Sequence, residues 1–501
     1  MSIVIHGNEA RILVYITIIA SFLYSNLVYL LLMVEEIPSK WDETFDVIII
    51  GAGNSGLPAA YAAAKGGANV AVLEQMPCPS GSLTRMAGWI NQAGTELQKK
   101  RGIEDSPDIM FKDFVEVCQP CNPINLEVVK NYCRKTPEIY PFLEQYGAKC
   151  LGIQLTAGAS RPRGHVYSGV EALKALHRAA QEAGAKILFK HKVLDLYRDP
   201  TTKRIVGVKV RVRRGEYANF KARKAVILAS GATLDNPLLV WEFGSYRHAS
   251  LCCPEARGHT GEMILALMRL GIPIRYPGTH MYASIPLDYN TRHPLSHFLS
   301  IWWAGAVLVN INGVRFVNED EKLFPTVGEA CFLQPDAISF VVFDQSIYDL
   351  ITREVPQVIW EVFKLYKANT LEELAGQMGV PTENLVNEIE KYNEDLKKYG
   401  YDRKFGRRKC LLLDRPAIPI EKPPFYAIKG ISGLTSTRGG VMINAKGQVL
   451  DVDYRPVPGL YAVGELATGG LFRDGNYICG THTSFAISYG LIVGENVARG
   501  E

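Results

Sequence analysis

The chain has 501 residues, more than a single hydrophobic core serves, so two or more domains are expected. Its 47% hydrophobic and 21% charged residues are ordinary for a globular enzyme and argue against a disordered or fibrous chain. A formal charge of +4 with no long basic run excludes nucleic acid as the expected partner and leaves small molecules.

Residues 12–34, "ILVYITIIASFLYSNLVYLLLMV", carry no charge and are long enough to cross a bilayer. Two readings stand: a membrane anchor, or an extension upstream of Met33, where "MVEEIPSKWDETFDVIIIG" begins as a soluble chain would. The expected location is accordingly cytoplasmic or membrane-anchored. Residues 45–75 read as strand, tight glycine turn, alanine-rich helix and strand, a βαβ unit that predicts a parallel sheet and an α/β fold. Residues 124–147 look helical, with Pro137 and Pro141 interrupting. Residues 191–232 alternate apolar and polar and read as several strands, ending in a buried one over 225–229. From about 275 to 425 aromatics, His and Pro become frequent, and 371–399 reads as a charged helical stretch. Buried strands and glycine turns then return, and the chain closes on an apolar helix near 483–498. The expected division is an N-terminal segment and linker (1–44), a dinucleotide-binding domain in two parts (45–275 and 426–501), and an inserted domain (276–425).

Gly51, Gly53 and Gly56 form G-x-G-x-x-G between strand and helix. The first allows the sharp turn, the second lets a diphosphate approach the backbone, and the third lets helix and strand pack closely. The helix N-terminus then faces the phosphates, and Glu74, closing the second strand, can accept from an adenosine ribose. At the far end, "VPGLYAVGELATGG" (457–470) places a strand before Gly464 and Glu465, whose carboxylate suits ribityl hydroxyls. The last helix is expected to begin between Thr481 and Thr483, its N–H groups facing a flavin pyrimidine edge that becomes negative on reduction. The two ends together select FAD.

No metal is expected. Cys118 and Cys121 form a lone C-x-x-C, read as two unrelated thiols or a redox dithiol. His293 and His297 lack a third ligand nearby. Trp302 and Trp303, in "HFLSIWWAG" (297–305), read equally as an apolar substrate wall or as core.

With both ends in view, the chain from about 45 to 500 resembles the FAD-dependent fumarate reductase and succinate dehydrogenase flavoprotein family. The matching segments include "PSGSLTRMAGWINQAGT" (79–95), "AVILASGATLDN" (225–236), "GHTGEMILALMRLG" (258–271), "VLVNINGVRFVNEDE" (307–321) and "STRGGVMINAKGQVLD" (436–451). The resemblance implies a Rossmann-like FAD domain with an inserted α+β capping domain. It also implies cofactor contacts at Ser55, Gln75, Ser82, Gly88, Val193, Ala229 and Gly231. Ser82 stands nearest the place where respiratory members carry the His that bonds the flavin, so non-covalent FAD is expected.

The catalytic positions depart from the family. No Arg follows Asn318-Glu319, Thr435 stands where the family has a His, and Tyr477 replaces the Arg that clamps a substrate carboxylate; a phenol cannot do that work. The tail is most similar to tricarballylate dehydrogenase and 3-ketosteroid Δ1-dehydrogenase, which oxidise a CH–CH unit beside an electron-withdrawing group. The reaction expected is loss of an α proton and of a β hydride, on a ketone, steroid-like or polycarboxylic acid substrate, with an electron acceptor still to be identified. Tyr477 is the expected donor to the carbonyl oxygen, His482 a second donor or base, and Arg438 a carboxylate ligand. Tyr282, His280 and Lys322 are candidate proton acceptors, among which the sequence does not choose. A reductase running the chemistry backward, an NADPH- and O2-dependent flavin hydroxylase, and a non-catalytic membrane-tethered flavoprotein are the rival readings.

Overall fold

A computed structural model describes residues 36–501, except 86–87, 245–257, 279, 287–298, 322–323, 355–364, 412–414 and 474–475. The apolar stretch 12–34, Lys322, His293 and His297 therefore lie outside the described residues, as do the side chains of Tyr282 and His280. Among the described residues no helix is long and apolar enough to cross a membrane.

The predicted βαβ unit is present. Strand β1 (Glu43–Ile50), helix α1 (Gly56–Lys65) and strand β2 (Val70–Glu74) follow one another, and β1 and β2 pair in parallel with Val47 opposite Val70. Val47, Ile48 and Ile49 are fully buried because the sheet is covered on both faces, which is why the apolar run is continuous and not alternating. Helix α2 (Pro123–Lys135) and helix α3 (Ile139–Gln145) are separated by a 3₁₀ turn, Thr136–Glu138, that contains Pro137. Pro141 does not break α3, since it sits in the first turn, where its missing N–H has no partner to lose.

Strand β3 (Lys186–Phe189) extends the parallel sheet beside β2, and strands β4 (Lys192–Arg198) and β5 (Ile205–Arg213) form a hairpin. The buried strand expected over 225–229 is the end of a longer one, β6 (Glu216–Leu228). Its first half pairs antiparallel with β5, and its second half runs parallel between β1 and a later strand, so one strand serves both pairings. Helix α4 (Glu262–Arg269) follows.

A second sheet is built from strands β7 (His280–Pro286), β8 (Val307–Asn310), β9 (Ile338–Asp344), β10 (Leu365–Ala368) and β11 (Phe425–Thr437), with β11 pairing antiparallel to β7, β9 and β10. The charged stretch 371–399 forms two helices, α5 (Leu371–Met378) and α6 (Thr382–Tyr399). Gly379, at φ 71°, caps the first, and Pro381 precedes the second. Under this layer Arg315 binds Glu319 with both ends of its guanidinium (2.7 and 3.1 Å) and Asp402 at 3.1 Å, all buried. Trp302 and Trp303 are core: both are buried, and the Trp302 carbonyl accepts from Arg407.

The chain returns to the first sheet along β11, which stays in the second sheet to Thr437. The outgoing and returning segments are joined by a two-residue bridge, Arg275 N–H to Gly440 O at 2.7 Å and Gly440 N–H to Arg275 O at 2.9 Å. Strands β12 (Gln448–Leu450) and β13 (Pro456–Ala462) complete the first sheet, β13 parallel to β6. Helix α7 (Thr481–Arg499) lies on α1, where small residues on both helices allow close approach. The architecture is α/β: a Rossmann-like domain with an α+β capping layer.

Candidate functional site

A cleft opens at the carboxyl ends of β1, β2, β6 and β13, where open parallel sheets bind ligands. It encloses about 1010 Å3 of empty space, its open mouth included. Gly51 turns at φ 109°, and a Cβ there would stand 2.5 Å from the Ala229 carbonyl oxygen; a Cβ on Gly56 would drive into the Gly51 carbonyl. Gly51, Gly53, Asn54 and Ser55 face the cleft at the N-terminus of α1. The Glu74 carboxylate lies beside them, accepting from the Ala52 and Met76 N–H groups at 2.8 Å each, and burial pushes its pKa up. Gln75 donates to the Gly258 carbonyl and reaches the Thr260 hydroxyl at 3.5 Å. Ser82, Val193, Ala229 and Gly231 also line the cleft.

Gly464, Glu465, Thr483 and His482 line the same cleft, and a Cβ on Gly464 would stand 2.6 Å from the Ser55 hydroxyl, so this segment packs against the head of α1. One Glu465 oxygen accepts from the Thr437 N–H (2.5 Å) and hydroxyl (3.1 Å), tying the end of β11 to the cleft, and the other faces His259 Nδ1 at 3.4 Å. Gly480, at φ 83°, starts α7 at Thr481, whose side chain is buried in the helix seat and not in the cleft wall. His482 is half-buried, yet both ring nitrogens are shut off from water and neither has a hydrogen-bond partner among the described residues. Burial, aided by the Arg438 guanidinium, lowers its pKa to about 3, so the imidazole is neutral.

Tyr477 and Arg438 sit behind His482, outside the cleft wall. The Tyr477 oxygen accepts the His482 backbone N–H at 3.2 Å, its ring lies 4.9 Å from the imidazole, and Arg438 Cζ lies 6.0 Å from that ring. Burial pushes the phenol far above its ordinary pKa, so it keeps its proton. Gly88 lies away from the cleft, its Cα against the Tyr167 backbone. Tyr282 is placed only by its backbone, in β7 opposite Leu434. Cys118 is buried with its thiol pushed up to about 12, whereas Cys121 is exposed, an arrangement of two separate thiols.

Several cleft residues were not singled out from sequence: Asn54, Lys192, His259, Thr260, Glu262 and Ser436. His259 to Glu262 belong to the "GHTGEM" segment, whose pattern matched without giving any side chain a role. The signal available was its position just before a helix.

The residues fit FAD on geometry alone. A cradle that a Cβ would fill, a helix N-terminus and an acid at the end of β2 line one cleft together with a second carboxylate and the first turn of a second helix.

Comparison with known proteins agrees. The chain is 28% identical over 471 residues to a probable fumarate reductase of Shewanella frigidimarina, covering 91% of this chain and 75% of that protein. A flavocytochrome c3 fumarate reductase in its open conformation superposes with a TM-score of 0.77 at 26% identity, over 92% of this chain and 79% of that one. A 3-ketosteroid-Δ4-(5α)-dehydrogenase from Rhodococcus jostii RHA1, in complex with 4-androstene-3,17-dione, superposes with a TM-score of 0.74 at 25% identity, over 92% and 98%. Residues 46–481 match the family described as FAD binding domain, and the chain belongs to that family as an FAD-dependent oxidoreductase acting on CH–CH groups.

Proposed function

We propose that this chain is a dehydrogenase, oxidising a CH–CH unit beside a carbonyl or carboxylate to C=C. Bound FAD supplies the acceptor for the hydride that leaves the β carbon. What the protein must add is a site where the α proton becomes acidic, which requires hydrogen-bond donors and positive potential at the carbonyl oxygen.

The observation that carries the reading is the head of α7. There a phenol held protonated by burial accepts the first-turn N–H of His482, with the Arg438 cation behind it; the phenol lies outside the wall of the described cleft, and the proposal sets the substrate carbonyl on that side, toward the phenol's own proton. The helix N-terminus adds to the same potential. His482, neutral, offers a hydrogen bond and not a proton. The insert 276–425 is proposed to close over the substrate and bring the base. FAD is held non-covalently, Ser82 being unable to form a histidyl bond.

The reverse reaction, reduction of an activated C=C, is the second reading, favoured by the fumarate reductase relative. The group that takes the α proton would then return it; the absence of an Arg after Asn318-Glu319 weighs against the fumarate-type version of that reaction.

Anaerobic stopped-flow mixing separates the two. The proposal expects oxidised enzyme to bleach with a saturated 3-ketosteroid or polycarboxylic acid, and Tyr477→Phe to slow that bleaching about 100-fold, as loss of one oxyanion donor does. Unchanged bleaching in Tyr477→Phe would remove Tyr477 from the site. Turnover seen only from reduced enzyme with an enone or enoate would establish the reductase.

A further inference from the structure

We propose that His259 is a cofactor-contacting residue, its imidazole bracing the diphosphate–ribityl stretch of FAD against the carboxylates of the cleft. The argument begins with charge. Among the described residues lining the cleft, Glu74, Glu262 and Glu465 are carboxylates and Lys192 is the single ammonium. Lys192 is already engaged, 2.5 Å from Glu262. A dianionic diphosphate entering here meets an excess of negative charge, which the partial positive end of α1 offsets only in part. A further donor is needed between Glu74 and Glu465.

His259 occupies that place. Nδ1 lies 3.4 Å from Glu465, and Glu74 lines the same cleft. Nδ1 is buried without a hydrogen-bond partner among the described residues, and the side chain is 12% exposed. The other imidazoles of the cleft are placed differently: His191 Nδ1–H donates to the Phe189 carbonyl at 2.7 Å, and His482 stands at the head of α7. The seat for the ring is built. Gly231, at φ 69°, leaves room that a Cβ would take, 2.6 Å from Nε2. The loop carrying His259 is pinned from both sides. Asp235 N–H donates to the His259 carbonyl at 3.1 Å, the Asp235 carboxylate accepts Gly258 N–H at 2.8 Å, and Gln75 reaches across from the end of β2 to Gly258. A loop backbone held this firmly loses less ordering entropy when a ligand arrives.

Stripped protein is titrated with FAD, ADP and riboflavin by fluorescence, in His259→Leu and His259→Ala. ADP carries the diphosphate and riboflavin does not. The expected result is a fall of about tenfold or more in affinity for FAD and ADP, the size of one lost charge-assisted hydrogen bond, with riboflavin changed less than about twofold. His259→Gln, which keeps a donor, should recover most FAD affinity. FAD and ADP binding as in the parent, in whichever removal variant folds, would overturn the proposal. So would riboflavin losing as much as ADP. The readout is cofactor binding alone, so it stands apart from the direction or substrate of the reaction.

Discussion

His482 titrates far from an ordinary histidine, and this is open to direct measurement. Its pKa falls from 6.5 to about 3 because burial disfavours the cation, with Arg438 adding repulsion. That difference corresponds to about 5 kcal/mol between charged and neutral forms in the folded protein. The group is depressed, so its neutral form is the one the fold accepts. Stability is fully present above pH 6.5 and is lost progressively as pH falls toward 3, about 2 kcal/mol of it by pH 5. With histidines 15N-labelled and His482→Gln identifying its signal, the His482 resonance should remain that of neutral imidazole at pH 5, where an exposed histidine is almost fully protonated. Arg438→Met should raise the midpoint only partway, because burial is the larger cause. A His482 midpoint near 6.5 would show that water reaches the head of α7, and the donor site proposed there would fall with it.

Gly51→Ala should abolish FAD binding and cost roughly 2–5 kcal/mol, from an unfavourable φ and the clash with Ala229, read by thermal melts with and without FAD. Glu319→Gln should destabilise by about 3–5 kcal/mol in urea unfolding, because it leaves the buried Arg315 and Arg407 under-compensated. Acid precipitation of the holoprotein should release all the flavin to the supernatant, whereas colour retained in the pellet would show a covalent bond. Glu465→Gln should weaken FAD binding while the Thr437 tie survives, since an amide oxygen can still accept both hydrogen bonds; an unchanged Kd would take Glu465 off the cofactor.

Much of the first domain was legible because its signals are local. The run Val47–Ile50, the three glycines and Glu74 lie within one βαβ unit, and spacing alone fixes their relation. Gly464 and Glu465 could be matched to them because a strand, a glycine and an acid keep their order at the far end. Less legible was anything set by packing between distant segments. Nothing in the spacing says that Tyr477 tucks behind His482 and accepts its N–H, or that Arg438 ends buried against that ring. Gly88 reads as part of a cofactor loop, yet its φ of 74° serves a close approach to Tyr167. His259 went unassigned because its role depends on Gly231 and Asp235 from one segment and Gln75 from another converging on it, which a single pattern does not reveal. β6 was read short because its antiparallel and parallel halves carry different burial patterns along one strand.

The most direct test is the visible spectrum of FAD-loaded protein, mixed anaerobically with saturated ketone and carboxylate substrates. The account predicts one FAD per chain, and bleaching by a compound with a CH–CH unit next to its carbonyl, with the matching α,β-unsaturated product recovered. A folded protein that binds FAD yet is neither reduced by such compounds nor, once reduced, reoxidised by their unsaturated partners would contradict it.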